Sequence, residues 1–141
     1  MKFEPPKIND YSESQHQKLC VEYADRHPWG PLLICIPNGA HLAGDSSARS
    51  RQMNHLKAMG LKPGTSDLFL AMPVKQYHGA WFEMKKIGAR KPSPEQYEFL
   101  LRMERQGYYV DVCYGFDEWR YSAHRYFAGQ QSLLGAEDNT V

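Results

Sequence analysis

Asp67, Glu83 and Lys85 are the residues of this 141-residue chain whose types and spacing suit catalysis, the last two lying in Trp81-Phe82-Glu83-Met84-Lys85. Residues two apart on a strand face the same way at about 6.5–7 Å, so Glu83 and Lys85 project from one face while Phe82 and Met84 point to the other. With an aspartate opening the neighbouring strand, these are the parts needed to hydrolyse a phosphodiester. Asp67 and Glu83 would hold Mg²⁺ through hard oxygen ligands, with the backbone carbonyl of Met84 as a further ligand and water and a phosphate oxygen in the remaining positions. Lys85 would orient or activate the attacking water and stabilise charge developing in the transition state. Glu13, carried in on a first helix, would bind the ion through water or support a second one. The competing reading makes Glu83 and Lys85 an ordinary exposed strand pair.

Charge distribution favours a polyanionic partner. The formal net charge is only +1, but residues 46–91 hold nine Lys and Arg against Asp67 and Glu83, a net +7, while the remainder nets −6. Such a dipolar chain can turn one face to phosphate, and a basic surface that keeps two carboxylates is what a cation-dependent phosphodiesterase needs. A randomly charged, solvated surface is the alternative.

Several elements must position these groups. Ser12-Glu13-Ser14-Gln15 fits a capping box that starts a helix over about residues 13–26, with His16, Leu19, Cys20 and Tyr23 on its buried stripe. Leu32 to Ile36 reads as an interior strand. A basic helix is expected over Arg49–Met59, then strands over Asp67–Ala71 and Ala80–Lys85. Ser93-Pro94-Glu95-Gln96 is a second capping box with proline at the first helical position, opening a helix that ends at Gly107. Tyr108–Tyr114 reads as a fourth strand and Asp117–Phe127 as a last helix. The order predicts an α/β sandwich around a four-stranded mixed sheet, strands three and four parallel through a right-handed crossover. Residues 1–11 are expected to form an extended arm, 12–127 the domain, and 128–141 a loosely ordered tail.

Composition sets outer bounds. A chain 42% hydrophobic and 23% charged is too apolar for wholesale disorder. No stretch approaches the ~20 apolar residues of a bilayer-spanning helix, and the N-terminus lacks the apolar core of a secretory signal, so a cytoplasmic protein is expected. Cys20, Cys35 and Cys113 are odd in number and far apart, which argues for free thiols. The six histidines show no paired metal-ligand spacing with them.

Taken together, Glu13 with Gln17, Ile36-Pro37-Asn38-Gly39, Met59-Gly60-Leu61-Lys62-Pro63-Gly64-Thr65-Ser66-Asp67-Leu68, Trp81 to Lys85, and Ser93 to Gln96 followed by Gly107-Tyr108 resemble the VRR-NUC domains (virus-type replication-repair nucleases). These belong to the PD-(D/E)xK superfamily, with its restriction-endonuclease-like core. Thr65-Ser66 stands where the family usually has Val-Pro and Met84 where it often has Leu. The resemblance implies that Glu13, Asp67, Glu83, Lys85 and Gln96 occupy nuclease positions, that Mg²⁺ or Mn²⁺ is required, and that branched DNA such as a four-way (Holliday) junction is the substrate class. It also implies a stand-alone domain of the kind found in bacterial viruses.

One metal site cuts one strand at a time, so symmetric resolution of a junction calls for a homodimer. Arg49, Arg51, Lys57, Lys62, Lys86, Arg90 and Lys91 would contact phosphates, and Asn38 and Gly39 would let the backbone approach DNA closely. The alternatives are a non-catalytic nucleic-acid binding module on the same fold and an interaction protein with no nucleic-acid role.

Overall fold

The computed structural model describes residues 7–37, 42–132 and 134. Within them the chain runs through helix α1 (Glu13–Asp25), strand β1 (Leu33–Cys35), helix α2 (Ser46–Ala58), strands β2 (Leu68–Leu70) and β3 (Ala80–Lys85), helix α3 (Pro94–Arg105), strand β4 (Tyr109–Tyr114) and helix α4 (Phe116–Phe127). The strands form one sheet in the order β1-β2-β3-β4. β1 and β3 both run antiparallel to β2, and β4 runs parallel to β3, as the crossover through α3 requires.

Strand alternation divides the core into two layers. Leu68, Leu70, Phe82, Met84, Tyr109 and Cys113 point to one face and pack with Cys20 of α1 and Trp119, Ala123 and Tyr126 of α4. Val110 meets Leu100 of α3 on the other, where Trp81 and Val112 join it. Trp81 shares this face with Glu83 and packs there, stacking on Phe69 at 4.4 Å and meeting Phe99 edge-on at 5.0 Å between ring centroids. Glu83 and Lys85 therefore rise beneath the start of α3, while α1 approaches from the opposite face.

Both capping boxes form. Ser12 and Ser93 each accept from the backbone of the residue three positions on, and Gln15 and Gln96 reach back to the cap amide; each serine cap stabilises its helix by about 1 kcal/mol. α2 starts at Ser46, ahead of the expected Arg49, because Asp45 accepts from the Ala48 amide at 2.8 Å and caps it. At the head of α4, Gly115 offers no side chain, and buried His16 caps the helix instead, its Nδ1 accepting from the Phe116 amide at 3.0 Å. This contact ties α4 to the helix that carries Glu13.

β1 departs from expectation. Its apolar run reads as an interior strand, yet it lies at the sheet edge with Ile34 43% exposed. A run apolar on both faces says nothing about neighbours, and here one side of the strand has none within the sheet. A 3₁₀ turn over Gly30–Leu32 delays its start to Leu33. Another 3₁₀ turn, Ile8–Asp10, precedes α1, and beyond α4 the Ser132 hydroxyl donates to the Val110 carbonyl while Leu134 packs on Leu100 and Val110. Among the described residues no helix is long and apolar enough to cross a membrane.

Candidate active site

The site begins where β2 and β3 part. Their pairing reaches Leu68 opposite Phe82, and past that point the Asp67 side chain takes the place of a strand neighbour: its Oδ2 accepts from the Met84 amide at 2.8 Å. The N–H and C=O of one strand residue lie on the same side, so the Met84 carbonyl also faces the gap where β2 has ended. The Asp67 carbonyl accepts from the Ile36 amide at 2.9 Å, fixing the backbone. Upstream, Gly64 adopts a φ of +81°, and a Cβ there would fall 2.3 Å from the Glu95 carbonyl oxygen. Only glycine lets this loop cross so closely over the first turn of α3.

Glu83, 1% exposed, is held from one side. Its Oε1 accepts from Gln96 Nε2 at 2.8 Å and lies 4.0 Å from Lys85 Nζ. Gln96 Oε1 in turn accepts from Lys85 Nζ at 3.2 Å and from the Ser93 amide at 2.8 Å. Glu83 Oε2 is buried and receives no donor from the described residues. The charge of the Asp67 carboxyl acts on Glu83 and raises its proton affinity.

Burial and mutual repulsion shape the electrostatics. Desolvation first, then the Asp67 charge, pushes the Glu83 carboxyl up to about 9, with Lys85 opposing and Glu13 adding to the rise. Asp67 is raised by burial against the pull of the Met84 amide, the Glu83 contact and Lys85. Glu13 is raised by burial and by Asp67, and lowered by Lys85. The folded, cation-free protein therefore holds protons that the unfolded chain releases near 4.5, and stability must fall as pH climbs from that value toward 9. Melting temperatures in EDTA should decline from about pH 5.5 to about pH 8.5, inside that window, and Glu83→Gln should flatten the decline. Identical slopes for the two proteins would contradict the burial of an uncompensated charge at Glu83.

Glu13 interacts with Asp67 and Lys85 through charge. With Asp67 it borders a cleft of about 760 Å³ between α1, the end of β1 and α2, whose walls include Gln17, Cys35, Leu56 and Leu61. Gln17 donates to Cys35 Sγ at 3.2 Å. The structure thus brings together Asp67, Glu83, Lys85, Gln96 and the Met84 backbone, and sets Glu13 on the cleft that Asp67 also lines, within their field. Among the described residues no three His, Cys, Asp or Glu side chains gather closely enough to hold an ion alone.

The basic residues are more dispersed. Lys57 borders a hollow that also contains Thr65, Ser93 and Gln96, and Arg49 shares a shallower one with Lys57. Lys91 lies apart, in a cavity with Tyr97, Val112 and Glu118. Arg51, Lys62, Lys86 and Arg90 are exposed. Asn38 and Gly39 fall outside the described residues.

What sequence reasoning left out is the Ser93 amide, which donates to the same Gln96 oxygen as Lys85. The capping-box spacing was the available signal, since it places the residue-96 side chain beside the strand ends. Ser66 is fully buried with a hydroxyl that finds no partner among the described residues.

A cation fits this donor set. Asp67 and Glu83 each have one oxygen tied to a protein donor, Glu83 Oε2 is buried without one, and the Met84 carbonyl faces the same gap. Magnesium-like ions are commonly held by one or two carboxylates and keep several waters, so a third acidic side chain is not required. The oxygen donors do not favour zinc, and Cys20 and Cys113 are buried in the core with their thiols pushed far up by desolvation.

A four-stranded mixed sheet flanked by helices, with an aspartate, a Glu-x-Lys and a helix-borne glutamine at the split between two strands, defines the PD-(D/E)xK class of nuclease folds. The sequence profile of the VRR-NUC domain matches residues 11–117, and the chain belongs to that family; its function is of nuclease type, with DNA as substrate. A solved structure described as a VRR_NUC domain protein superimposes with a TM-score of 0.72 at 22% identity, over 86% of this chain and 93% of the other, a likeness of fold. A search of curated proteins finds no match.

Proposed function

We propose that this protein is a divalent-cation-dependent endodeoxyribonuclease that cuts branched DNA, four-way junctions included, as a homodimer. The observation that carries the reading is the buried Asp67–Glu83 pair beside Lys85, each acid with one oxygen occupied by a protein donor and the Asp67 charge acting on Glu83. Two carboxylates buried together weaken the fold unless something positive joins them. A purely binding module has no use for that arrangement.

Mg²⁺ or Mn²⁺, when bound, would polarise a phosphate oxygen and lower the proton affinity of a coordinated water. The chain's own groups do the rest. Asp67 and Glu83 would hold the ion with the Met84 carbonyl, and Glu13 would reach it through water. Lys85, 17% exposed at its side chain, aims its ammonium from the Gln96 carboxamide toward the same place, where it orients the attacking water and offsets negative charge on the phosphoryl group. Gln96 holds Lys85 and Glu83 in register. Lys57, which shares a hollow with Gln96, would grip phosphate next to the site, and Arg49, Arg51, Lys62, Lys86, Arg90 and Lys91 would extend the basic surface, making binding steeply salt-dependent and largely blind to sequence.

The test is incubation of the protein with a synthetic four-way junction in Mg²⁺, in Mn²⁺ and in EDTA. Paired, symmetric incisions that disappear in EDTA are expected, the pairing reporting a two-fold dimer. Tight binding with no incision under any condition would make the protein a binding module, and cutting that persists in EDTA would remove the cation from the account.

A further inference from the structure

The Gln96 carboxamide has two ends of nearly equal size and opposite chemistry, and its orientation decides what Glu83 and Lys85 meet. Its Nε2 donates to Glu83 Oε1 at 2.8 Å. Its Oε1 accepts from Lys85 Nζ at 3.2 Å and from the Ser93 amide at 2.8 Å. A half-turn about the terminal bond would set an NH₂ group against two donors and an oxygen against a carboxylate, so three contacts select one orientation. Of the two groups that select the oxygen end, Lys85 is a flexible side chain, whereas the Ser93 amide belongs to the backbone at the helix start. Ser93 sits at φ −64° and ψ 161°, and its hydroxyl accepts from the Gln96 amide at 3.3 Å. The capping box is thus a rigid frame for the carboxamide.

We propose that Ser93 is a positioning residue of the candidate active site: its backbone N–H orients Gln96 so that Glu83 is engaged through Oε1, leaving the buried Oε2 without a donor among the described residues, while Lys85 is held beside them. The inference rests on the nuclease reading above and adds to it a role for a main-chain group that no side-chain replacement at position 93 removes, proline excepted. It also explains why glutamine and not glutamate closes this box. Either residue caps a helix from that position, but a glutamate has no donor for Glu83 and would set a third carboxylate against the buried pair.

Ser93→Ala deletes the hydroxyl and keeps the amide, and Ser93→Pro deletes both at a φ that proline adopts freely. The difference between these variants reads the amide. Titration of each protein with MnCl₂ alone, without DNA, should show Ser93→Pro binding Mn²⁺ about 10–100-fold more weakly than Ser93→Ala. Junction cleavage should show kcat lower for the proline variant by a similar factor at unchanged KM. Equal Mn²⁺ affinity and equal kcat in the two variants would overturn the proposal. Should the proline variant fail to fold, Gln96→Glu replaces it: a residue that acts only as a helix cap tolerates that change, whereas the proposal requires kcat of the folded variant to fall at least about 10-fold. A silent Gln96→Glu overturns it. A wild-type protein that neither binds Mn²⁺ nor cuts would instead strike at the nuclease reading itself.

Discussion

Asp67→Asn should lower junction cleavage by about 10³-fold or more while binding the same DNA as tightly as the wild type or more tightly. An ion's stabilisation of transition-state charge amounts to several kcal/mol, and each ~1.4 kcal/mol is a factor of ten in rate. Asparagine retains an oxygen to accept from the Met84 amide, as Asp67 Oδ2 does, so the strands stay parted as they are and the fold survives. Binding is preserved because a carboxylate beside phosphate has been removed. Glu83→Gln should behave alike in cleavage, keeping an acceptor for Gln96 Nε2 and removing a carboxyl whose ionisation the metal-free fold resists. Competition binding and single-turnover cleavage on one junction check both variants. Affinity that falls in step with activity would place Asp67 and Glu83 in the DNA-binding surface and not at the reacting phosphate.

Lys85→Met should reduce cleavage by about 10²–10⁴-fold, the range expected when a positioned proton-transfer or charge-stabilising group is lost. A second consequence separates this from simple disruption. Lys85 lowers the proton affinity of Glu13, Asp67 and Glu83 together, so without its ammonium the three acids hold their protons to higher pH. Cation binding needs them ionised. The pH at which Mg²⁺ supports residual cleavage should therefore move in the alkaline direction, which a pH–rate profile reads directly. Lys85→Arg should not restore the wild-type rate, because the planar guanidinium cannot pack against Gln96 and Glu83 as the compact ammonium does. An unshifted profile in Lys85→Met would remove Lys85 from the electrostatics of the site.

The capping boxes, the Glu-x-Lys alternation and the parallel crossover were legible because each rests on local chemistry: a serine three residues before a glutamine, a two-residue strand period, a helix between two strands. The sheet position of β1 was not legible. Leu32 to Ile36 is apolar on both faces, and only the three-dimensional path of the chain decides which of its sides lacks a neighbour. The partners of Gln96 split the same way. Its bonds to Ser93 follow from spacing, while its bonds to Glu83 and Lys85 depend on α3 crossing the end of β3, a tertiary relation that the Gly64 close approach helps to fix. Glu13 shows the limit most plainly. Helical spacing puts it at the margin of α1's buried face, but how far it stands from Asp67 is set by the cleft between α1 and α2. The basic residues illustrate it again, since segment 46–91 is positive as a whole and yet Lys91 borders a different cavity from Lys57, one lined also by Tyr97 and Glu118.

The most direct measurement of the central claim is anomalous diffraction from crystals of the protein soaked in MnCl₂. A peak should appear in the gap between β2 and β3, within bonding distance of Asp67, Glu83 Oε2 and the Met84 carbonyl, and should vanish in Asp67→Asn. Manganese bound elsewhere, or a gap left without a peak at concentrations that support cutting, would contradict the account.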